Sequence, residues 1–280
     1  MYDLHSHLLP AIDDGAPDYD TSLAMARAYA GQGVECVACT PHILPGLYHN
    51  SGPQIRQAVT ELQAQLDGAG IPLKLVSGAD NHIVPGFAAE LKRGHLLPIG
   101  DSAYVLIEPP HHVVPARLEE LFFNILLAGY VPVLTHPERL SWIESKYDVI
   151  ERLAGRGVWM QITCGSLRGN FGRRPRYWAE KMLSEGLVHI LATDAHDMTS
   201  RPPDLLEGRI QAERLAGAEE AEHLVVTRPG GILSNKSPKS LPLPQPGAAA
   251  TELHEDGHLP ETSHRIARGG FAQRMRRLFG

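Results

Sequence analysis

The stretch MYDLHSHLLPAIDDG, residues 1–15, decides the fold of this chain. It begins as a short apolar strand and ends on two histidines, His5 and His7, which Asp13 and Asp14 follow in a turn-rich segment. Residues two apart in a strand point to the same face, so both imidazoles face the same way. Because DDG is a turn signal, Asp13 is equally a turn or cap residue, and we favour Asp14 as the partner of the histidines.

The same alternation continues to about residue 235. Short apolar runs predict strands at MYDLH, VECVACT, LKLVSGA, AYVLIE, VPVLTH, VWMQIT and HILAT. Amphipathic stretches between them predict helices at YDTSLAMARAYAGQG, SGPQIRQAVTELQAQLDGAG, ARLEELFFNILLAGY and PRYWAEKMLSEG. Repeated strand–helix units predict an α/β fold with a parallel sheet, either a βα barrel or a doubly wound sheet.

Strand after strand in this pattern ends in a side chain of the kind that binds metals. The carboxyl ends of parallel strands lie on one face of the sheet, so residues far apart in sequence converge there. A lone His-x-His pair is a weak signal, whereas its repetition at successive strand ends predicts a metal centre. The candidate ligands are His5, His7, Asp14, His42, Asp80, Glu108, His136, Asp194 and His196.

This ligand set exceeds what one four-coordinate zinc ion uses, so it predicts two or three divalent ions. Nitrogen and oxygen ligands without thiolate suit manganese, iron or zinc. The positive charge of such a centre attracts a phosphate dianion, and water activated by the ions is the expected nucleophile. Arg139 in HPER and Arg201 in DAHDMTSR are expected to bind the phosphoryl oxygens through their planar guanidinium groups, with surface ion pairs as the alternative. His82, His111 and His112 are expected to be loop residues near the mouth, with His82 a candidate substrate contact.

Composition excludes several other classes of protein. The 280 residues are 43% hydrophobic with a formal net charge of −6, which gives no general attraction to nucleic acid. The sequence has neither an apolar run of the roughly 18 residues that a spanning helix needs nor a signal-peptide pattern.

Three cysteines predict a cytoplasmic protein without a disulfide framework, and the pair Cys36 and Cys39 is predicted to be part of a buried strand. The motifs of cysteine phosphatases, phosphate-loop proteins and serine hydrolases are missing, which leaves metal-assisted hydrolysis.

The composition changes after residue 235. Residues 236–246, KSPKSLPLPQP, contain four prolines and predict a linker. The remaining residues are predicted to be disordered. They end in RIARGGFAQRMRRLFG, which is either a solvated tail or a short basic helix for an acidic surface. We therefore expect a catalytic domain at 1–235 and a tail at 236–280.

These motifs together resemble the PHP (polymerase and histidinol phosphatase) superfamily. DLHSHLLPAIDDG, the His42 loop, LIE, THPER and TDAHDMTSRPP occur in order at family-like spacing. Within the superfamily, residues 1–235 are similar to the manganese-dependent protein-tyrosine phosphatases of bacterial capsular and exopolysaccharide biosynthesis. The resemblance implies a distorted (β/α)7 barrel with a three-metal centre of the nine ligands, in which Asp80 replaces a glutamate. It also implies that Arg139 and Arg201 bind substrate phosphate, that the substrate is the tyrosine-rich tail of a membrane-associated tyrosine autokinase, and that the protein forms homo-oligomers.

The sequence is also compatible with two other functions. A PHP-type phosphatase of a small metabolite, such as histidinol phosphate, predicts a closed pocket with preference for one alkyl phosphate. A non-catalytic metal-binding module that docks on the kinase predicts bound metal without turnover, and the Asp80 replacement is its support in the sequence.

Overall fold

A computed structural model of the chain describes residues 1–247. Its strands are β1 (Tyr2–Ser6), β2 (Cys36–Cys39), β3 (His42–Leu44), β4 (Tyr48–His49), β5 (Lys74–Ser77), β6 (Asp80–His82), β7 (Tyr104–Glu108), β8 (Val131–Thr135), β9 (Trp159–Thr163) and β10 (Ile190–Ala192). Its helices are α1 (Tyr19–Gly31), α2 (Gly52–Gly68), α3 (Phe87–Lys92), α4 (Leu118–Leu127), α5 (Tyr147–Gly155), α6 (Cys164–Arg168), α7 (Arg173–Ser184), α8 (Leu205–Ala216), α9 (Ala218–Glu222) and α10 (Arg228–Leu233). The sequence patterns predicted α1, α2, α4 and α7, while the other helices were not predicted. The predicted disorder and basic tail at 248–280 lie outside the described residues.

The strands form two sheets that join into a barrel. One sheet has the order β1-β2-β5 and the other the order β10-β9-β8-β7-β6-β3-β4, with every pair parallel except the β3–β4 hairpin. The sheets meet where Ser6 pairs with Ala195, beyond the end of β10. There the amide of Asp194 donates to the carbonyl of His5 over 2.8 Å. The first and last strands are thereby hydrogen-bonded just where the candidate ligands lie.

Two predicted strands are each split between the two sheets. VECVACT, which we expected to run as one strand toward His42, ends at Cys39, and a new strand begins at His42. Pro41 lies in the gap and has no amide proton for a sheet. LKLVSGA is split in the same way around Gly78, where a Cβ would lie 3.0 Å from the side chain of Thr40. When each split pair counts as one and the short antiparallel β4 is left out, seven parallel strands surround the barrel, so the predicted distorted (β/α)7 fold is confirmed.

The barrel interior is apolar below the candidate ligands. Residues two apart on β7, Tyr104 and Leu106, lie on the same strand face as Glu108 and belong to a buried cluster with Val133 and Trp159 of the neighbouring strands. Further members of this cluster come from the C-terminal part of the chain, Ile232 of α10 and Leu241. The strand ends therefore carry polar residues, while the strand centres pack against apolar side chains.

Part of the predicted linker packs against the barrel. Leu241 is 8% exposed, and the buried Arg228 donates through Nε to the carbonyl of Pro242 over 2.8 Å. Arg228 also makes a bidentate ion pair with Glu220 at 2.7 and 2.9 Å, which compensates the burial of its charge. The amide of Gly247 donates to the carbonyl of Ser184. Residues 236–247 are thus held to the body of the structure, although the division at residue 235 itself stays a prediction.

All three cysteines are buried free thiols, which agrees with the predicted core role of Cys36 and Cys39. Burial raises the pKa of Cys36 to about 11, so that thiol is an unreactive core residue. Cys164 packs against Gly208 of α8, where a Cβ would lie 2.3 Å from its Sγ. Within residues 1–247, the helices are too short or too polar to span a bilayer.

Candidate metal centre

The fold brings all nine predicted ligands to one end of the barrel. His5 lies near the end of β1, Glu108 ends β7, and His136 directly follows β8. The others are on the loops and short strands beside these positions, namely His7, Asp14, His42, Asp80, Asp194 and His196. His42 and Asp80 differ from the prediction because each begins a new short strand instead of ending a long one.

Strand register sets the spacing of the ligands on β3, β6 and β7. His42 is the direct partner of Asp80, and His82 is the direct partner of Glu108. Because Asp80 and His82 are two apart, they share a strand face. The result is two adjacent rows of ligand-type side chains across three parallel strands.

His5 and His7 present their Nε2 atoms to each other. The Nδ1 atom of His5 lies 2.8 Å from Oε1 of Gln161, and Nδ1 of His7 lies 2.7 Å from Oδ2 of Asp13. Both partners are hydrogen-bond acceptors, so each Nδ1 carries a proton and each Nε2 points into the cluster. The two Nε2 atoms are 3.4 Å apart. Either a proton on Nε2 of His7 or a bound cation can lie between them, and roughly 3.4 Å separates two ligands of a tetrahedral ion with bonds of about 2.1 Å.

The carboxylate of Asp80 is fully buried among three imidazoles. Its Oδ2 lies 3.6 Å from Nε2 of His5, 3.6 Å from Nδ1 of His42 and 3.8 Å from Nε2 of His136. These distances exceed hydrogen-bond length, and Oδ2 has no hydrogen-bond partner among the described residues. Burial, together with the nearby Glu108 carboxylate, raises the pKa of Asp80 well above its usual value. A buried carboxylate in this position fits a bound cation, which would hold it ionised.

Asp194 connects the histidines to the two predicted phosphate-binding arginines. Its Oδ1 lies 3.4 Å from Nε2 of His5 and 3.3 Å from Nε2 of His7. Its Oδ2 accepts from Nη1 of Arg139 at 2.5 Å and from Nη2 of Arg201. Although burial opposes ionisation, Arg201, the histidines and Arg139 hold the pKa of Asp194 well below its usual value.

A second group of ligand atoms lies toward the surface. Asp14 is exposed on 44% of its side chain, and its two oxygens lie 3.5 Å from Nε2 of His42 and 3.5 Å from Nε2 of His196. Nδ1 of His196 lies 2.9 Å from the carbonyl of Asp194, so its Nε2 faces inward. The preference for Asp14 over Asp13 matches the geometry, because Asp13 instead accepts from Gly15 and contacts His7 outside the cluster.

Burial keeps several of these imidazoles neutral. It lowers the pKa of His5 to about 4 and that of His42 to about 3. His7 is different because, although burial alone would lower its pKa, Asp13 and Asp194 raise it to about 10. Metal binding at His7 therefore has to displace a proton, whereas His5 and His42 are already in the form that binds metals.

Backbone strain accompanies two of the candidate ligands. His136 has φ of 33° and Asp194 has φ of 53°, both in the left-handed region that residues with a Cβ rarely adopt. Both residues follow immediately after a strand or one residue beyond it. The left-handed turn ends the strand there and directs the side chain into the cluster.

The donor set as a whole fits divalent ions. It consists of imidazole nitrogens and carboxylate oxygens, with outer hydrogen bonds that fix the inward-facing nitrogens of His5, His7 and His196. Five groups of ligand atoms among the described residues lie close enough to hold an ion. Three of them consist of predicted ligands alone, namely His7, Asp14, His42 and His196; His5, His7 and Asp80; and His5, His136 and Asp194. The structure thus offers more than one group of side chains that could hold a cation.

Sequence reasoning missed several residues that contact this cluster. His82, which we expected in a loop, lies on β6 and contacts Glu108, and His111 lies 2.8 Å from the same carboxylate. The sequence feature that could have identified His82 is its spacing of two residues from Asp80, which places both side chains on one strand face. Gln161 was marked by being a polar residue inside an apolar strand, and it is fully buried. His112 is exposed, as predicted for a loop residue.

Comparison with known proteins places the chain among capsule-related phosphatases. Residues 1–234 match the model of the family described as capsular polysaccharide synthesis, CpsB/CapC. The chain is 36% identical over 219 residues to the tyrosine-protein phosphatase YwqE of Bacillus subtilis, an alignment that covers 78% of this chain and 86% of YwqE. It is 26% identical over 246 residues to the tyrosine-protein phosphatase CpsB of Streptococcus pneumoniae, which covers 84% and 99% of the two chains.

The fold is also similar to a solved structure. A structure from the pair YwqE of Bacillus subtilis and CpsB of Streptococcus pneumoniae, described as unique metal-dependent tyrosine phosphatases, matches with a TM-score of 0.83 and 35% sequence identity. The match covers 88% of this chain and 99% of that one. The similarity therefore extends over most of both chains.

Proposed function

The chain belongs to the capsular polysaccharide synthesis family CpsB/CapC, and we infer that it is a metal-dependent protein-tyrosine phosphatase. One observation supports this function above the others. Asp194 faces two histidines of the ligand cluster with Oδ1 and two arginines with Oδ2. Two arginines suited to bind phosphate therefore lie directly beside a cluster suited to divalent ions, an arrangement that can support metal-assisted hydrolysis of a phosphate ester.

The nine ligand assignments are part of this proposal. The residues that would hold the ions are His5, His7, Asp14, His42, Asp80, Glu108, His136, Asp194 and His196. Divalent ions bound there supply positive charge for the phosphoryl group and activate water as the nucleophile. We propose manganese as the ion, at two or three positions, and the same donor set accepts iron or zinc.

Arg139 and Arg201 bind the phosphoryl oxygens in this proposal. Both side chains are partly exposed, at 17% and 22%, so they are accessible to a substrate at the mouth. Phe171 supports Arg139 from one side, with its ring centroid 4.5 Å from the guanidinium carbon. The arginines neutralise charge on the transferring phosphoryl group, and tyrosine is a fair leaving group because its phenol has a pKa of about 10.

The proposed substrate is the phosphotyrosine tail of a membrane-associated bacterial tyrosine kinase, in the cytoplasm. The partial exposure of Asp14 and of both arginines supports this substrate, because a side chain on a flexible segment can reach them. Removal of these phosphates would regulate the capsule or exopolysaccharide synthesis with which the family is associated.

The test is turnover of a phosphotyrosine peptide by protein stripped of metal with a chelator, before and after Mn²⁺ is restored. A small alkyl phosphate is assayed in parallel, and Asp194→Ala and His136→Ala serve as site variants. We expect Mn²⁺-dependent hydrolysis that favours phosphotyrosine and falls by at least about 10³-fold in both variants, since each removes a proposed ligand. Hydrolysis of the alkyl phosphate alone would assign the protein to metabolite phosphatases, and bound metal without any turnover would make it a binding module.

A further inference from the structure

Glu108 is surrounded by more histidines than the nine-ligand centre uses. Its Oε1 lies 2.8 Å from Nε2 of His111 and 3.6 Å from Nε2 of His136. Its Oε2 lies 3.4 Å from Nδ1 of His42 and in close contact with Nε2 of His82. Two of these histidines, His82 and His111, are outside the nine proposed ligands.

The four imidazoles form two pairs, one for each oxygen of Glu108. The ring centroids of His42 and His82 are 5.3 Å apart, and those of His111 and His136 are also 5.3 Å apart. In each pair the nitrogens and the adjacent Glu108 oxygen all lie within 4.8 Å of one another, which is close enough for one ion. Each pair therefore combines a histidine of the nine-ligand set with one outside it.

The fold holds these side chains firmly in place. His82 is the direct cross-strand partner of Glu108 on β6 and β7, and its side chain is 15% exposed. His111 lies on the loop after β7, and the carbonyl of the same residue accepts from the amide and the hydroxyl of Ser141 at 2.9 Å. Two separate segments thus direct imidazoles at the same carboxylate.

We propose that His82 and His111 are metal ligands, so that an ion at either oxygen of Glu108 is bound through imidazole as well as carboxylate. The separations of His42 and His136 from Glu108, 3.4 and 3.6 Å, match those of ligands around a common ion, which are roughly 3.4 Å apart at tetrahedral geometry. His82 and His111 are closer to the Glu108 oxygens, so both have to move outward when an ion enters, His111 by roughly half an ångström. Imidazole binds zinc well, so zinc is the probe ion for this end of the centre.

The competing explanation is that His82 and His111 only donate hydrogen bonds that orient Glu108. Glutamine distinguishes the two roles, because its side-chain NH2 replaces the Nε2–H donor of histidine but is a poor ligand for zinc. The variants are His82→Gln, His111→Gln and the double variant. The exposed residues His49 and His112 give matched controls as His49→Gln and His112→Gln.

The measurement is zinc affinity and zinc content of the full chain, by chelator competition and elemental analysis. Loss of an outer hydrogen-bond partner typically lowers metal affinity about 10- to 100-fold. We expect each of the two single variants to lose more than about 100-fold in affinity for one ion, while both controls match the wild type. A smaller loss would mean that the histidine orients Glu108 and would overturn its assignment as a ligand.

A second measurement needs no variant and so does not depend on variant folding. Crystals of the wild-type protein with zinc are examined by anomalous diffraction, and ions are expected at about 2.0–2.1 Å from Nε2 of His82 and of His111. Zinc located more than about 3 Å from either nitrogen would overturn the assignment of that histidine. The inference rests on the proposed metal centre but can fail separately from the proposed function. Metal-dependent phosphotyrosine turnover without zinc at these histidines would overturn the ligand assignment and leave the phosphatase function standing. Zinc at both histidines without turnover would overturn the phosphatase function and leave the ligand assignment standing.

Discussion

Arg139 and Arg201 donate to the same oxygen of Asp194 from two different loops. Arg139 lies in the turn after β8, and Arg201 lies in the loop after β10. Asp194 thereby holds two guanidinium groups together that would otherwise repel each other, and its second oxygen faces the histidines of the cluster. A phosphate group that replaces this carboxylate oxygen as acceptor would meet both arginines at once.

Replacement of either arginine by lysine should therefore impair phosphate binding without removing metal. Arg139→Lys and Arg201→Lys keep the positive charge but lose the planar pair of donors. We expect kcat/KM for a phosphotyrosine peptide to fall about 10- to 100-fold in each variant, with unchanged metal content. Arg117→Lys, at an exposed site, is the control. Activity equal to wild type in both variants would show that neither arginine binds substrate.

Asp13 should matter for metal affinity although it is not a proposed ligand. It accepts from Nδ1 of His7 at 2.7 Å and from the amides of His42 and Gly15 at 3.0 and 2.9 Å. Asp13→Asn keeps an oxygen for the amides but removes the charge beside His7. We expect a 10- to 100-fold lower affinity for the ion at His7, measured by chelator competition.

The matched control for this change is Asp20→Asn, at an exposed position in the first turn of α1. An Asp13→Asn protein that binds metal as tightly as the control would contradict the positioning role. Circular dichroism of both variants checks that the barrel is intact.

His189 should make the metal-free protein sensitive to acid. Burial, reinforced by Arg228, lowers its pKa to about 3, and its Nδ1 accepts from the amide of Met160 at 3.1 Å. Between the ordinary value near 6.5 and about 3, the unfolded chain binds a proton that the folded chain does not. Stability contributed by neutral His189 is therefore lost progressively as the pH falls below about 6.5.

The comparison that isolates this effect is wild type against His189→Asn, whose side-chain oxygen can accept from Met160. Urea unfolding of chelator-treated protein is measured at about pH 6.5 and about pH 4.5. We expect the variant to lose less unfolding free energy between these pH values, by on the order of 2 kcal/mol. Equal losses in the two proteins would mean that His189 does not set the acid sensitivity. The variant His49→Asn, at an exposed residue, tests whether replacement of any histidine reduces the loss of unfolding free energy in the same way.

Leu241 should contribute to the stability of the barrel, although it lies in the predicted linker. It belongs to the interior cluster with Ile232 and packs against Gly231. Leu241→Ala is expected to lower the free energy of unfolding by about 2 kcal/mol or more, whereas Leu243→Ala, at a residue that is 71% exposed, should change it by less than about 0.5 kcal/mol. Equal melting temperatures of the two variants would place Leu241 outside the cooperative unit.

The sequence was informative wherever a ligand directly follows an apolar run, as Glu108 and His136 do. It was uninformative where function depends on which residues are neighbours across strands. The split of VECVACTPH at Pro41 moves His42 into a different sheet from Cys39, and this determines that His42 pairs with Asp80. Neither register nor the position of His111 beside Glu108 follows from local spacing, because both depend on contacts between distant segments. The same holds for Asp13, whose turn signal concealed its contact with His7.

The left-handed backbone at His136 brings stability and chemistry into conflict. Glycine at this position would relieve strain of roughly 1 kcal/mol or more, but it would remove a proposed ligand. A search for heat-resistant variants that scores melting temperature alone would thus favour glycine at 136 and yield inactive proteins. Selection for turnover would retain the strained residue, so the most stable sequence for this barrel and the most active one differ at position 136.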